Sequence, residues 1–449
     1  MSNQEIFDYV SNHPSGRVKI AVADIDGVLR GKYISSEKFL SVANTDLGFC
    51  DVIFGWDMAD QAYDNTTYTG WHSGYPDAKI KLSLNSLRKI PWENGLPFFL
   101  GECIDASGEA LSICPRQLLQ KIIAQLRDAG FEAKCSQEFE WFNFAETSRS
   151  FAEKEGKHLT PLTPGMFGYS VLRSSECNDF FSALFEQLKK MDIPLEGLHT
   201  ETGPGVYEAA IAFSGALNAA DNAVLFKTSV KEIAYKHGIL ASFMAKINEN
   251  LPGCSGHVHQ SLWNGDSNLF HDAAKPGSMS ETMLQYIAGQ LYCLPHILPM
   301  VAPTINSYKR LVEGAWAPTT VTWGMDNRTV ALRALTGGSK SCRLETRVVG
   351  SDTNPYLAMA ACLASGLYGI RHRLGLQPAT TGNGYKEESH GHFPKSLEEA
   401  NQAMKKSAVA NELFGETFVN HFTQTREWEI RQFARVVTDW ETKRYFEII

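Results

Sequence analysis

Hydrophobic and polar residues alternate with a period of two in several short runs of the chain, and this spacing predicts β-strands. Residues 18–22 alternate in this way, a polar turn follows at 24–27, and the alternation resumes at Val28, which predicts a β-hairpin. The longest run is 134–144, where aromatic and polar side chains are interleaved. Because successive side chains of a strand point to opposite faces, this run predicts a strand with an apolar face and a polar face.

Other stretches repeat their apolar residues with the spacing of an α-helix. Pro115 opens one helix and Gly130 ends it, as is usual at helix termini. The most apolar run, residues 357–370, is too short to span a bilayer and predicts a buried helix. Further helices are predicted over residues 179–191, 221–237, 282–298 and 397–411. We place a domain boundary between residues 105 and 115, and predict one domain over 1–108 and a second over 109–449.

The composition is that of an ordinary globular protein, with 43% hydrophobic and 20% charged residues in a chain of 449. A net charge of −8 and the lack of a basic tract argue against a nucleic-acid partner. The nine cysteines form no Cys-x-x-Cys pair, which favours a reduced, cytoplasmic protein. The N-terminus shows neither the basic start nor the apolar segment of a signal peptide, so we predict no membrane partner.

Several carboxylates stand where the local pattern would gather them into one cavity. Glu138 and Glu140 share a face of the predicted strand, about 6.6 Å apart along the chain. Glu201 and Glu208 flank a Gly-Pro-Gly bend that lets the chain fold back, so that both carboxylates can approach one ion.

Two further runs each place three polar side chains on one face of a strand: His257, His259 and Ser261, and Arg343, Glu345 and Arg347. Oxygen donors with at most one imidazole favour Mg²⁺ or Mn²⁺ over zinc or copper. Two such ions beside arginines neutralise a polyphosphate and the charge of a transferring phosphoryl group. The sequence therefore predicts ATP as a substrate and two Mg²⁺ or Mn²⁺ ions per site, with the ligands Glu138, Glu140, Glu201, Glu208, His257 and Glu345.

Each of these pieces has a plainer interpretation when it is taken alone. Glu138 and Glu140 would more often be the wet face of an edge strand, and two histidines are as often core residues as ligands. An Arg-Leu-Glu-Thr-Arg run is usually a solvated salt-bridge ladder. Their joint occurrence, with apolar residues on the reverse face each time, favours a shared site.

Over nearly its whole length the chain resembles the glutamine synthetase superfamily, with the motifs in the family's order and approximate spacing. The matching segments are residues 26–32, 138–142, 201–208, 253–262, 306–311, 327–347, 354–358 and 440–441. The resemblance implies an α+β fold, with a small N-terminal β-grasp domain followed by a large catalytic α/β domain on a funnel-shaped, curved antiparallel sheet. It also implies a homo-oligomer of stacked rings, such as a dodecamer, with active sites between subunits.

The resemblance also implies a role for each candidate residue. Ligands of the ion beside the acceptor substrate would be Glu140, Glu201 and Glu208, and those of the ion at the ATP phosphates Glu138, His257 and Glu345. Glutamate would be held by Gly253, Arg310, Arg328 and Arg347, of which Arg328 and Arg347 are also predicted to be catalytic. The phosphates would be faced by Arg328, Arg333 and Arg343. Other nucleotide contacts would come from Glu196, His259, Ser261 and Lys340.

Two departures from the family pattern bear on the substrates. Where ammonia-using members carry a flap glutamate just before Ala-Pro, this chain has Trp316, which we predict to act in the catalytic site. The lost carboxylate would have attracted ammonium and taken its proton, whereas an indole offers an apolar and cation–π surface for an amine with a carbon chain. Glu313 nearby, or Asp57 from a neighbouring subunit, are candidates for the missing acid. The family's asparagine before Gly253 is also absent, which leaves open whether glutamate is the only acid accepted.

The sequence thus predicts an ATP-dependent ligase that joins the γ-carboxylate of glutamate to an amine through a γ-glutamyl phosphate. The branch it resembles is that of the γ-glutamylpolyamine and γ-glutamylmonoamine synthetases, and the predicted acceptor is an alkylamine or polyamine. Two alternatives stay open: an ordinary glutamine synthetase, if another acid substitutes at Trp316, and a structural or regulatory relative without catalysis. The intact metal and arginine sets count against the second alternative.

Overall fold

A computed structural model describes residues 1–105 and 107–449 of the chain. The N-terminal elements are α1 (Asn3–Asn12), β1 (Arg17–Ala23), β2 (Leu29–Ser35), α2 (Ser36–Val42), β3 (Leu47–Cys50), β4 (Asp77–Leu82), β5 (Arg88–Ile90) and β6 (Leu96–Ile104). They form a mixed sheet of order β2-β1-β6-β4-β3, with β5 also paired to β6. The β1–β6 pair is parallel, and the predicted hairpin is present as the antiparallel β1–β2 pair.

The remaining elements begin with α3, and their strands form a second, larger sheet. They are α3 (Pro115–Asp128), β7 (Glu132–Phe144), α4 (Ser148–Glu153), α5 (Val171–Glu176), α6 (Asn178–Lys190), β8 (Leu195–Thr200), β9 (Val206–Ile211), β10 (Ser214–Gly215), α7 (Ala216–Lys236), β11 (Leu240–Ser242), β12 (Val258–Asn264), β13 (Ser267–Asn268), α8 (Glu281–Ile297), α9 (Ser307–Arg310), β14 (Trp323–Met325), β15 (Leu332–Leu335), β16 (Arg343–Thr346), α10 (Pro355–Arg371), α11 (Leu397–Lys405), α12 (Ala408–Phe414), α13 (Glu416–Phe433) and α14 (Asp439–Tyr445). The predicted α+β class is confirmed.

The large sheet has the order β14-β15-β16-β12-β7-β9-β8. Its pairs are antiparallel except at one edge, where β14 and β15 run parallel, so the prediction of an antiparallel sheet is wrong there. Asp326 directly after β14 has a φ of 47°, which turns the chain out of the sheet before it returns beside Trp323. The centre of the sheet is β7, which pairs with β12 on one side and β9 on the other.

The apolar helix predicted over residues 357–370 is α10, which is buried along almost its whole length. It crosses α8 at very short range, and small residues permit this. A Cβ on Gly289 would lie 2.2 Å from the carbonyl oxygen of Ser365, and one on Gly369 would lie 2.0 Å from that of Gln285. Among the helices of the described chain, none combines the length and hydrophobicity that a bilayer crossing requires.

One predicted helix is interrupted. Residues 397–411 were expected to be continuous, but α11 ends at Lys405 and α12 begins at Ala408. Ser407 lies between them, and its side-chain oxygen accepts a hydrogen bond from the N–H of Ala410 at 3.1 Å. A serine that caps a new helix in this way competes with continuation of the preceding one. The predicted domain boundary lies beside Ala106, which is outside the described residues, and stays a prediction.

Candidate active site

The polar face of β7 carries the first two candidate carboxylates. Glu138 and Glu140 are half-buried on this face, while Phe139 and Trp141 are fully buried on the other. Glu140 stands directly opposite Glu208 of β9. The alternation read from the sequence therefore places carboxylates of neighbouring strands on one surface, which we call the carboxylate face.

Glu138, His257 and Glu345 converge at the β7–β12–β16 side of the carboxylate face. Nδ1 of His257 lies 2.9 Å from Oε1 of Glu138 and 3.2 Å from Oε1 of Glu345. Nε2 of His257 is buried and has no hydrogen-bond partner among the described residues. Two carboxylates and one imidazole are the kind of donor set that Mg²⁺ or Mn²⁺ takes. Ligand atoms of Glu138 and Glu345 also lie within 4.8 Å of one from His259. That His257 completes this ligand set stays a prediction.

His259 is held differently from His257. Its Nδ1 accepts a hydrogen bond from Nε of Arg343 at 3.2 Å, which places the ring proton on Nε2. That Nε2 faces Oε2 of Glu138 at 3.4 Å. His259 is therefore oriented as a hydrogen-bond donor to a carboxylate, and its lone pair is occupied by the arginine.

The β8–β9 hairpin brings Glu201 and Glu208 together, as the bend between them predicted. Gly203 and Gly205 have φ values of 135° and 71°, and a Cβ on Gly205 would lie 2.4 Å from the carbonyl oxygen of Asn143. Glycine is therefore required where the turn passes under β7.

Negative charge accumulates around Glu208. Burial, and then the charges of Glu138, Glu140 and Glu201, raise its pKa to about 10. A carboxylate among carboxylates is relieved by protonation or by a cation. Glu140 is partly compensated, since its Oε2 accepts the backbone N–H of Ser255 at 2.7 Å. The surroundings of Glu208 therefore favour a bound cation.

His199 also belongs to this part of the site, and the sequence prediction missed it. Its Nε2 lies 3.9 Å from Oε2 of Glu201 and 3.9 Å from Oε2 of Glu208. A ligand atom from each of these three residues lies within 4.8 Å of the others. The signal was available, because His199 precedes Glu201 by two positions at the end of a strand and so shares its side.

Two of the predicted phosphate-facing and catalytic arginines converge on Glu345. Nη1 of Arg333 lies 2.9 Å from Oε2 of Glu345, and Nη1 of Arg347 contacts Oε1. Nε of Arg347 is buried without a hydrogen-bond partner in the described chain. Arg328 is instead exposed, and within the described residues it forms no ion pair. Of the predicted phosphate-facing arginines, it is the one that forms neither an ion pair nor a side-chain hydrogen bond within the described residues.

Arg310 and Gly253 are in contact beside this group. The Arg310 side chain is buried, and its Nη1 and Nη2 donate to the carbonyl oxygens of Val348 and Arg347 at 3.1 and 3.0 Å. A Cβ on Gly253 would lie 2.7 Å from Cγ of Arg310. The glycine thus lets the backbone run directly against the arginine, and the shared substrate of these two residues stays a prediction.

A cavity of about 280 Å³ opens next to Glu138. Its lining contains five residues predicted to contact the nucleotide, namely Glu196, His259, Ser261, Lys340 and Arg343. Phe213 and Trp263 also line it, and Oγ of Ser261 accepts a hydrogen bond from Nε1 of Trp263 at 2.8 Å. These aromatic residues were not predicted. Arg333 does not line the cavity and instead pairs with Glu345.

Trp316 lies on an exposed turn with 64% of its surface accessible and a φ of 58°, a backbone conformation that a bulky side chain rarely adopts. Neither candidate for a substitute acid has a free carboxylate. Glu313 pairs with Nζ of Lys386 at 2.6 Å. Asp57 accepts hydrogen bonds from Nε1 of Trp428 at 2.9 Å and from the backbone N–H groups of Ala59 and Gln61.

Carboxylates and arginines beside an open cavity are what an ATP-using ligase requires. The family model "Glutamine synthetase, catalytic domain" matches residues 112–445, and the chain belongs to this family. Members of the family are ATP-dependent carbon–nitrogen ligases that depend on divalent metals, and this protein is an enzyme of that class.

Two relatives and one solved structure are similar to this chain over nearly its whole length. The chain is 52% identical over 450 residues to "Type-1 glutamine synthetase 2" of Dictyostelium discoideum, covering 99% of this chain and 86% of that protein. It is 37% identical over 449 residues to "Glutamate--isopropylamine ligase" of a Pseudomonas species, covering 99% and 98%. The solved structure described as "GmaS/ADP complex-Conformation 1" shares the fold with a TM-score of 0.86 at 24% identity, covering 98% of this chain and 99% of that one.

Proposed function

We propose that this enzyme joins the γ-carboxylate of glutamate to an alkylamine or polyamine in preference to ammonia. The observation that carries the proposal is Trp316, which stands where ammonia-using members have an acid. Of the two candidate replacements, Glu313 pairs with Lys386, and Asp57 accepts a hydrogen bond from Trp428. The similarity to an isopropylamine ligase over almost the full length of both chains supports the same acceptor class.

In the proposed reaction, the glutamate γ-carboxylate attacks the γ-phosphorus of ATP, and the bond to the β–γ bridging oxygen breaks to release ADP. The amine nitrogen then attacks the acyl carbon of the γ-glutamyl phosphate. The acyl C–O bond breaks, phosphate leaves with its electron pair, and loss of a proton from nitrogen gives the amide. Since hydrolysis would waste the acyl phosphate, water must be excluded during these steps.

Different residues of the site would bind glutamate, bind the ATP phosphates and face the reacting carboxylate. Arg310 and Gly253 would hold glutamate, and Arg333 and Arg343 would place positive charge at the ATP phosphates. Arg347, with its buried Nε free of partners among the described residues, would face the reacting carboxylate. Two divalent ions held by the carboxylate clusters would add charge neutralisation for phosphoryl transfer when bound.

A panel of acceptors tests the proposal directly. Purified enzyme with glutamate, ATP and Mg²⁺ would be assayed for phosphate release with ammonium, isopropylamine, ethanolamine and putrescine at equal concentrations of free base. We expect kcat/KM for at least one alkylamine to exceed that for ammonium by about tenfold or more, the size of a modest binding difference. Faster turnover with ammonium than with every amine would overturn the proposal.

Trp316→Glu sharpens the test, because it returns an acid to the flap. We expect this variant to gain ammonium-dependent turnover and lose alkylamine-dependent turnover. Trp71→Glu is the matched control, since Trp71 is an exposed tryptophan in the N-terminal sheet region. Equal shifts in both variants would show that the added charge acts non-specifically.

A second candidate, glutamine synthetase, is favoured by the 52% identity to a protein of that name. It requires another acid near Trp316, and Glu313 is the nearest in sequence. Under this alternative Glu313→Gln would abolish ammonium-dependent turnover. Under the amine-ligase proposal the same change would leave alkylamine turnover nearly unaltered.

We also propose a homo-oligomer of stacked rings. Three apolar side chains are left uncovered by the rest of the described chain, since Phe446, Ile448 and Ile449 are 86%, 86% and 94% exposed. Contact with a second copy would remove this surface from water. Light scattering coupled to size-exclusion chromatography measures the assembly, and a monomer at micromolar concentration would contradict the proposal.

A further inference from the structure

His199 occupies a row of three side chains that crosses neighbouring strands of the large sheet. Glu140 of β7 stands opposite Glu208 of β9, and Glu208 stands opposite His199 of β8. Directly opposed residues of antiparallel strands lie on the same face with Cβ atoms about 5 Å apart. His199 therefore extends the carboxylate face by one strand, and Glu201 joins it two residues later.

The hydrogen bond at Nδ1 decides which nitrogen of His199 faces the carboxylates as an acceptor. Nδ1 lies 3.3 Å from the carbonyl oxygen of Glu208, and a carbonyl can only accept, so Nδ1 carries the proton. Nε2 then presents a lone pair to Glu201 and Glu208. This differs from His259, whose Nδ1 accepts from Arg343 and whose Nε2 is a donor.

A lone pair that faces two carboxyl groups is an electrostatic mismatch unless a proton or a cation lies between them. The separations of 3.9 Å exceed hydrogen-bond length. They fall within the span of about 4.2 Å that two donors can have when each binds one ion at about 2.1 Å. The ring is also held in place, because Tyr169 packs against it with a centroid distance of 4.4 Å.

We infer that His199 is an additional ligand of the ion held by Glu201 and Glu208, and that its nitrogen gives this position a preference for Mn²⁺ over Mg²⁺. Imidazole suits first-row transition metals, whereas Mg²⁺ favours oxygen donors. A bonded Nδ1–H that orients the ring is the usual support for a ligating histidine. The inference rests on the metal site proposed above and is independent of the acceptor amine.

Mn²⁺ binding to the full chain without ATP or glutamate tests the inference without any turnover. Free Mn²⁺ would be followed by electron paramagnetic resonance, and nitrogen coupling to bound Mn²⁺ by spin-echo modulation. In His199→Phe, which keeps the aromatic packing on Tyr169, we expect Mn²⁺ affinity at this position to fall about tenfold or more and one nitrogen coupling to disappear. Mg²⁺ affinity should change by less than about threefold.

Two further variants distinguish the role of His199 from the existence of the metal site. His199→Asp returns an oxygen donor, so it should bind Mg²⁺ at least as tightly as wild type while its preference for Mn²⁺ falls. Glu208→Gln should weaken binding of both ions. Wild-type Mn²⁺ affinity and unchanged nitrogen coupling in His199→Phe would overturn the role of His199 and leave the metal site standing. Failure of the wild-type chain to bind Mn²⁺ would overturn the metal site itself, and this inference with it.

Discussion

Phe139 and Trp141 on one face of β7 pack beneath α7, whereas Glu138 and Glu140 on the other face look into the candidate site. On the packed face, the rings of Phe139 and Trp141 each lie 5.7 Å from the ring of Phe226. Aromatic residues buried in this way contribute strongly to stability through apolar area and ring geometry.

The carboxylate face is built on the opposite principle. Burial, and then the negative charges of its neighbours, raise the pKa of Glu208 to about 10. Such an arrangement lowers the stability of the ligand-free protein and is retained where binding needs it. One strand thus separates two tasks by alternation alone: its apolar face stabilises the fold, and its other face gathers carboxylates.

The largest effect should come from breaking the packed face. Trp141→Ala removes a fully buried indole, and we expect the free energy of unfolding to fall by about 3–5 kcal/mol. Denaturant titration followed by circular dichroism measures it. The control Trp71→Ala removes a ring that is 81% exposed and should change stability by less than about 0.5 kcal/mol. Similar losses in both variants would contradict the assignment of stability to this face.

A change on the carboxylate face should lower activity and leave the stability of the metal-free protein unchanged or slightly higher. Glu208→Gln replaces a carboxyl group whose ionised form is disfavoured by burial and by its acidic neighbours with a neutral amide of similar shape, so the metal-free protein should be as stable as wild type or slightly more stable. We expect kcat/KM for phosphate release to fall about 10²–10³-fold, the usual cost of losing one electrostatic group from an active site. Glu186→Gln, an exposed position on α6, is the control and should retain activity. Full activity in Glu208→Gln would remove this residue from the site.

A titratable group far from the carboxylate face should set part of the acid sensitivity. His421 is 1% exposed between Phe54 and Tyr68, and burial, with the charge of Arg426, lowers its pKa to about 4. Because the unfolded chain binds the proton more readily, stability is complete above pH 6.5 and is lost as the pH falls towards 4, by up to about 3 kcal/mol.

His421→Phe should flatten this dependence, since phenylalanine can occupy the same aromatic pocket and does not titrate. Melting temperatures measured between pH 4.5 and 8 in steps of about half a unit would resolve the slope. His237→Phe, at an exposed position, should keep the wild-type slope. An unchanged slope in His421→Phe would place the acid-sensitive group elsewhere.

The smallest effect concerns the rim of the cavity beside Glu138. Lys340 lines this cavity but is exposed, so its attraction for phosphate is screened by water and salt. Lys340→Ala should weaken ATP binding by about three- to tenfold, and less at high salt. Isothermal titration at two salt concentrations measures this, with Lys236→Ala on α7 as the control. A salt-independent loss would indicate that Lys340 acts by packing.

Much of the site follows from short-range rules that are visible in the sequence. The period of two predicted that Glu138 and Glu140 share one face. The glycines at 203 and 205 predicted the bend that brings Glu201 close to Glu208. Five of the residues predicted at the nucleotide line one cavity, although their roles in binding stay predictions. His199 could have been found by the same rule, and it was missed because a single histidine before Glu201 has no distinctive pattern.

Other features depended on contacts between distant segments. The pairing of Glu313 with Lys386 joins residues 73 positions apart, and that of Asp57 with Trp428 joins residues 371 apart, so no local pattern reveals either. Two other differences have a more local cause. The break between α11 and α12 and the parallel β14–β15 edge arise where capping and turn geometry override periodicity.

The sequence by itself determined which side chains share a face, because strand and helix periods are properties of the local backbone. It also determined the fold class and the family, through motifs in a fixed order. Only the tertiary structure decided which nitrogen of each histidine is free, which acids are already paired and which arginines meet Glu345. Those outcomes depend on hydrogen bonds and charges from strands that are remote along the chain and adjacent in space.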